Sequence, residues 1–495
     1  KTFEVADLYA KSSGVNGKRS MVVNPALTNP TGWENIHHKE LLSPTDAVIY
    51  EVHVRDITIH PSSGVKYPGK YLGLAENDTR SFENMPTALS HLVDLGITHV
   101  HLLPVFDFCT VDETKPFGNQ YNWGYDPANF NVPEGSYATD AHNGYTRIIE
   151  LKKMIMAIKK ANIGVVMDVV YNHTYKTIDS DFNKLVPGYY YRQDHMGEFS
   201  NGSGCGNEIA TERSMVRNFI VSSVKMWAQE YKIDGFRFDL MGLIDIETMN
   251  DIRLALDKIS PSILLYGEGW TGGPSLLKGY EASIKANAAK LNKIGFFNDN
   301  TRDAIKGDAF NQSGTGFITG NYSYKEGVKF GVAGAVYHPG IDYSKVNYSG
   351  YAWAAYPWHC VNYTASHDNL TLYDKLVASR PDLNEADYIR LVNLAAAIVL
   401  TSQGIPFFLL GTDMMRSKKG EHNSYNLPDE INQIDWSLKY RYQQVFNYHK
   451  GLINLRKAHP AFRMVQAEEI RRNLVFYPCP EHAVAFSLNN YANND

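Results

Sequence analysis

Eight short apolar runs, at residues 47–54, 97–103, 163–170, 235–239, 263–266, 294–297, 360–366 and 405–410, recur along the chain with turn-forming residues between them. Most are separated by stretches with helical periodicity. Val216, Ile220, Val224, Trp227 and Tyr231 fall on one helix face, Leu151, Ile155 and Ile158 on another, and residues 388–402 carry a further pattern of this kind. Strands alternating with helices build parallel βαβ units. Eight such units predict an α/β fold, a closed (β/α)8 TIM barrel, with an open doubly wound sheet of eight strands as the alternative.

In such a barrel the active site lies at the carboxyl ends of the strands. Residues 234–240, Asp-Gly-Phe-Arg-Phe-Asp-Leu, put Arg237 and Asp239 two positions apart at the end of the fourth run. Alternate residues of a strand share a face, and a neighbouring guanidinium favours the charged form of a carboxylate and lowers its pKa. Asp239 is therefore expected as an anion, the state a nucleophile needs. The fifth run leads into Glu268-Gly269-Trp270, and a partly desolvated Glu beside an aromatic holds its proton nearer neutrality. Two carboxylates with opposed tuning predict nucleophilic and acid/base chemistry on a sugar acetal. Asp168 in the third run and His367-Asp368-Asn369 after the seventh repeat the pattern.

The segments at 168–173 (DVVYNH), 235–240 (GFRFDL), 267–270 (GEGW) and 366–369 (SHDN) resemble, in order, the four conserved regions of the α-amylase superfamily of retaining glycoside hydrolases. Residues 121–127, Tyr-Asn-Trp-Gly-Tyr-Asp-Pro, resemble the marker of its type I pullulanases, the α-1,6 debranching members. The resemblance implies Asp239 as the nucleophile, Glu268 as the general acid/base and Asp368 as the carboxylate that holds sugar hydroxyls while the ring distorts. It implies that Arg237 keeps Asp239 ionised, and that His173 and His367 donate to hydroxyls of the sugar at the cleavage point. Tyr125 is expected as a stacking platform, Asp126 as a hydroxyl acceptor beside it, and Trp270 as a stacking partner for the acceptor-side glucose. Asn369 is expected to reach the cleft, and Asn426 and Asp429 to hold donor-side glucose units. The implied activity is endo-acting hydrolysis of α-1,6 branch linkages in pullulan, amylopectin, glycogen or limit dextrins, with retention. Another α-glucan enzyme of the superfamily (isoamylase, α-1,4 amylase or amylopullulanase) and a catalytically silent glycan-binding barrel stand as alternatives.

Around the barrel, assigned to residues 46–462, the sequence predicts a lead-in of turns and extended pieces over 1–45. An aperiodic insertion at about 174–210 follows the third barrel strand and matches the place of the family's small domain B. Residues 463–495 resemble the start of a C-terminal β-sandwich, with alternation over 469–489 and a turn at 478–480 predicting a hairpin.

Composition narrows the partners. The net charge of −5 comes without a Lys/Arg cluster, so nucleic acid is not expected. No run of 18 apolar residues predicts a membrane span, and the opening at Lys1 without a signal peptide leaves the compartment open. Thirty-two Tyr and seven Trp suit a sugar ligand. The four cysteines, without metal-ligand spacing, read as free thiols. A metal site from His173, Asp168, Asp239 and Glu268 was weighed, but His53 and His101 do not form the HxH pair of zinc barrel hydrolases. No metal ligand and no required cofactor are therefore expected at the catalytic centre. Asn172 matches a position some family members use for structural Ca²⁺, which leaves that ion open. The GxGxxG match at 267–272 is set aside because Pro274 follows it and its strand is the fifth.

Overall fold

The structure, a computed structural model, describes residues 4–118, 120–489 and 491. Its strands are, in chain order, β1 (Ile49–Val52), β2 (His99–Leu102), β3 (Phe106–Phe108), β4 (Pro127–Pro133), β5 (Gly164–Val169), β6 (Gly235–Phe238), β7 (Leu264–Gly267), β8 (Ile294–Phe297), β9 (Cys360–Asn362), β10 (Ile405–Leu409), β11 (Leu474–Tyr477) and β12 (Ala485–Leu488). β1, β2, β5, β6, β7, β8, β9 and β10 close into a parallel barrel, with β10 pairing back onto β1. These are the eight runs of the sequence, and their closure excludes the open sheet.

The barrel closes because every one of these strands has two faces to bury. Outward-facing side chains meet a sheath of helices: Ser214–Glu230 buries Val216, Ile220, Val224 and Trp227, and Gly144–Lys160 buries Leu151, Ile155 and Ile158. Inward-facing side chains alternate with them. Near the amino ends the interior is apolar, with Ile49, Val166, Leu264 and Ile405 packed together. Two positions further along β1 and β5, Glu51 and Asp168 are also buried, paired in register with His101 of β2 and Arg237 of β6 respectively. The polar layer therefore sits at the carboxyl end, under the site.

Three features depart from the sequence reading. β3 and β4 form an antiparallel hairpin after the second barrel strand, unforeseen because Pro127 and the Asn-rich run after it are poor strand signals. Residues 469–473, assigned to an alternating hairpin, belong instead to the helix Ala467–Asn473. Gln466 and Glu469 close a capping box at its start, with Glu468 in its first turn and Arg471 and Arg472 in its last, an order that complements the helix dipole. The hairpin proper is β11–β12, its turn tied down by Lys325, which donates to the carbonyls of Cys479 and Pro480. The lead-in and C-terminal assignments extend into residues 1–3, 490 and 492–495, which lie outside the described residues. Among the described residues no helix is long and apolar enough to cross a membrane.

Candidate active site

Strand register brings Asp239 and Glu268 side by side. β6 and β7 pair with Phe238 opposite Gly267, so the next residue on each leaves its strand at one level, on strands about 4.8 Å apart. A Cβ at 267 would stand 2.5 Å from the Phe238 carbonyl oxygen, so the residue before Glu268 has to be glycine. Leu240 then turns the chain through left-handed backbone, φ +39°, a conformation that costs an L side chain about 1 kcal/mol or more. That turn aims its amide at Glu268 Oε2, 2.8 Å away.

β5 and β6 pair with Asp168 opposite Arg237. One terminal nitrogen of Arg237 lies 3.1 Å from Asp168 and 2.8 Å from Asp239, and the other 2.9 Å from Glu268. A single guanidinium thus serves three carboxylates. Asn172 adds an amide hydrogen to Asp239 at 2.8 Å. Burial is the largest influence on the Glu268 carboxyl and pushes it up to about 7, with Asp239 and Asp368 adding to it and Arg237 opposing it. Burial also raises Asp239, and Arg237 pulls the other way. The expectation that Arg237 alone would lower Asp239 therefore needs correcting: the guanidinium is divided, and desolvation outweighs its share.

His367 is buried within a cluster of rings and carboxylates. Tyr125 stacks on its ring at 4.9 Å and 18°, and Trp123 meets it edge-on at 4.9 Å. Its Nδ1 lies 2.8 Å from Glu51 and its Nε2 3.5 Å from Asp368. Burial works against charge on this ring, but Asp368 and Glu51 outweigh it and raise it to about 9. The 121–127 segment is thus a strap across the barrel mouth. Tyr121 donates to Asp56 at 2.6 Å, and Tyr125 donates to Asp168 at 2.7 Å. The stacking partner of Tyr125 within the chain is His367.

The remaining predicted residues divide. Trp270, Asp368 and Asn369 line a cleft of about 470 Å³ together with Glu268, Tyr363 and Phe310. His173 is buried beneath the strap. Its Nδ1 meets Asn172 Oδ1 at 2.6 Å and its Nε2 the Tyr125 carbonyl at 2.9 Å, so a sugar hydroxyl would have to share the Nε2 hydrogen. Asp126 does not offer a hydroxyl acceptor. One of its oxygens accepts from the amides of Cys109 and Thr110, at 3.1 and 2.8 Å, and the other is buried without a partner. Asp429 is turned to Arg55, 2.6 Å away, and its second oxygen is buried. Asn426 is exposed on the eighth loop.

Glu51 and His101 were missed. Both lie in the polar layer, with His101 Nε2 3.1 Å from Asp168. An HxH pair is present on β2 in His99 and His101, beside the His53 and His101 considered from the sequence. They do not converge on an ion: His99 Nδ1 pairs with the Thr98 hydroxyl at 2.9 Å a layer below, and burial lowers it to about 3.

Neither of two oxygen-rich places suits a cation. Asn172 does not fit Ca²⁺, because its oxygen faces His173 and its nitrogen donates to Asp239. Asp107, Glu113 and Glu134 cluster tightly, but each of their six oxygens already accepts from Arg147, Asn129 or a backbone amide.

Residues 83–194 match the alpha-amylase family, by its alpha amylase catalytic domain. The chain is 43% identical over 491 residues to a pullulanase of Bacillus subtilis (strain 168), covering 98% of this chain and 66% of that protein. It is 33% identical over 519 residues to Pullulanase 1, chloroplastic, of Arabidopsis thaliana, covering 87% and 52% respectively. Among solved structures, it superposes on the pullulanase from Paenibacillus barengoltzii in complex with maltohexaose and alpha-cyclodextrin. The TM-score is 0.94 at 50% identity, over 98% of this chain and 74% of that one. The pullulanase from Anoxybacillus sp. LM18-11 complexed with maltotriose gives 0.91 at 44% identity, over 98% and 67%. The chain spans 66% and 52% of the length of the two curated relatives. It belongs to the pullulanases, within the α-amylase family of glycoside hydrolases.

Proposed function

We propose that the chain is an endo-acting hydrolase of α-1,6-glucosidic branch linkages in α-glucans such as pullulan, amylopectin, glycogen and limit dextrins, working with retention. The observation that carries this reading is the juxtaposition of Asp239 and Glu268 on adjacent, in-register strands, both held by Arg237. Carboxylates on the two terminal nitrogens of one guanidinium are a few ångströms apart, which fits the roughly 5 Å of retaining glycosidases better than the 6.5–9.5 Å of inverting ones.

In the first step Asp239 attacks the anomeric carbon while Glu268 protonates the departing O6 of the acceptor glucose. The glycosidic C–O bond breaks, and a covalent glycosyl-enzyme forms. Glu268, now a carboxylate, takes a proton from water, whose oxygen displaces Asp239 from the anomeric carbon and restores the original configuration. Asp368 holds hydroxyls of the distorted ring, and the His367 imidazolium keeps that carboxylate in place. Trp270 and Phe310 line the same cleft as Glu268, so the acceptor side is assigned to them. Because Arg237 already occupies the centre of the carboxylate cluster, this chemistry draws on side chains and needs no metal ion there.

The α-1,6 linkage is supported by membership of the pullulanases and by the strap at 121–127. Digestion of pullulan and glycogen, with products sized, tests it. Maltotriose from pullulan is the expected product, and panose would assign α-1,4 cleavage instead.

A further inference from the structure

We infer that Lys375 is a positioning residue for the acceptor side of the cleft, its ammonium holding the loop that presents Phe310. This rests on the reading of the cleft given above. Phe310 is 82% exposed and lines the cleft with Glu268 and Trp270. A large apolar ring contributes nothing to a core at that exposure, and its place beside the acid/base makes it a surface for the leaving chain. Such a surface works only if the loop beneath it is held still.

The loop is closed at its base by glycines. Gly307 adopts φ +91°, and a Cβ there would stand 2.3 Å from the Gly314 carbonyl oxygen. Asp308 accepts from the Phe310 amide at 2.9 Å and Asn311 from the Gly314 amide at 3.1 Å. The loop's interior is filled by Lys375, buried on the helix Leu372–Ser379. Its Nζ donates to the carbonyls of Asn311, Gln312 and Gly314, at 2.5, 3.1 and 2.7 Å. An ammonium has three hydrogens, and all three are spent on one segment four residues long, 311–314.

That helix is also the one that follows the Asp368 loop. Thr371 caps it by accepting from the Asp374 amide at 3.1 Å. Asp374 in turn accepts from the Ser417 hydroxyl at 2.6 Å and the Lys418 amide at 2.7 Å, on the eighth loop. Neighbouring residues of one helical turn therefore tie two loops to the helix that follows Asp368: Asp374 the eighth loop, Lys375 the Phe310 loop.

The test is a double-mutant cycle of Lys375→Met and Phe310→Ala, with kcat and KM read on pullulan and on α-maltotriosyl fluoride, which carries no acceptor sugar. Each single variant is expected to raise KM for pullulan about tenfold with kcat within about twofold, and the double variant to match the singles rather than multiply them. Kinetics on the fluoride should stay at the wild-type level. Unchanged pullulan KM in Lys375→Met, multiplicative effects in the double variant, or an equal loss on the fluoride would each overturn the inference. Wild-type release of panose instead of maltotriose would sink the α-1,6 reading alone, and the same cycle on that substrate would still test Lys375.

Discussion

Replacing Glu268 by Gln removes the proton donor while keeping the side chain's shape. The shift of this carboxyl from an ordinary 4.5 to about 7 is worth about 3 kcal/mol in favour of its protonated form. At pH 6 it lifts the protonated share from roughly 3% to roughly 90%. Wild-type kcat/KM on pullulan is therefore expected to fall tenfold per unit as pH rises above about 7, where the acid loses its proton. In Glu268→Gln, pullulan turnover is expected to drop by about 10²–10⁴-fold, and the remaining activity to lack that alkaline limb. With α-maltotriosyl fluoride, whose leaving group needs no comparable proton, the variant should release a rapid equivalent of fluoride and then stall as the glycosyl-enzyme. Azide should restart turnover and yield the α-glycosyl azide, because it attacks without a general base. Pullulan turnover within tenfold of wild type, or an unchanged alkaline limb in the variant, would refute the assignment.

Asp239→Asn is expected to abolish turnover of pullulan and of the fluoride alike, by about 10⁴-fold or more, without azide rescue; retained activity on either would place the nucleophile elsewhere. Glu51→Gln removes a carboxylate that stabilises the His367 imidazolium, so the ring's titration midpoint, about 9 in the intact protein, should move down when followed by NMR. A midpoint that stays put would show that Glu51 does not hold this charge. Asp126→Ala leaves the Thr110 amide without its acceptor, while the Cys109 amide keeps the residue-126 carbonyl at 3.0 Å, at a cost of about 1–3 kcal/mol of stability, with pullulan KM within about twofold; a KM rise at unchanged stability would return Asp126 to the sugar-binding surface. Dialysis against EDTA is expected to leave pullulan activity intact, and loss restored by Ca²⁺ would reveal a metal requirement.

The barrel was legible because its strands are buried on both faces and read as short apolar runs between helical patterns. Asp239, Glu268 and Asp368 stand out in the sequence as candidates because they end or follow such runs. Glu51 was not, since one carboxylate inside an apolar strand differs from its surroundings only by facing the interior two positions after Ile49. Asp126 and Asp429 are turned to partners within the chain for another reason. Their motif positions were right, but side-chain direction is set by tertiary partners, the amides of Cys109 and Thr110 and the guanidinium of Arg55. Phe310 lies in a Gly- and Asn-rich stretch without periodicity, where sequence does not distinguish a ring held out from a ring buried.

The tuning of the site follows from a shortage of positive charge. Glu51, Asp168, Asp239 and Glu268 are all buried or nearly so, and Arg237 and His367 are the cations among them. With Asp368 beside them and buried Lys418 as a further cation near Glu51 and Asp368, the carboxylates still outnumber the cations, and in a desolvated layer a bound proton offsets the excess. Asp168 is met by Arg237, His101 and Tyr125, and Glu51 by His367; for both, burial is outweighed and the carboxyl falls below its ordinary range. Asp239 has Arg237 and the Asn172 amide. Glu268 has only its share of Arg237 and one backbone amide, and it faces Asp239 and Asp368. The proton therefore settles on Glu268, on the carboxyl that borders the acceptor side of the cleft, where a departing oxygen needs it.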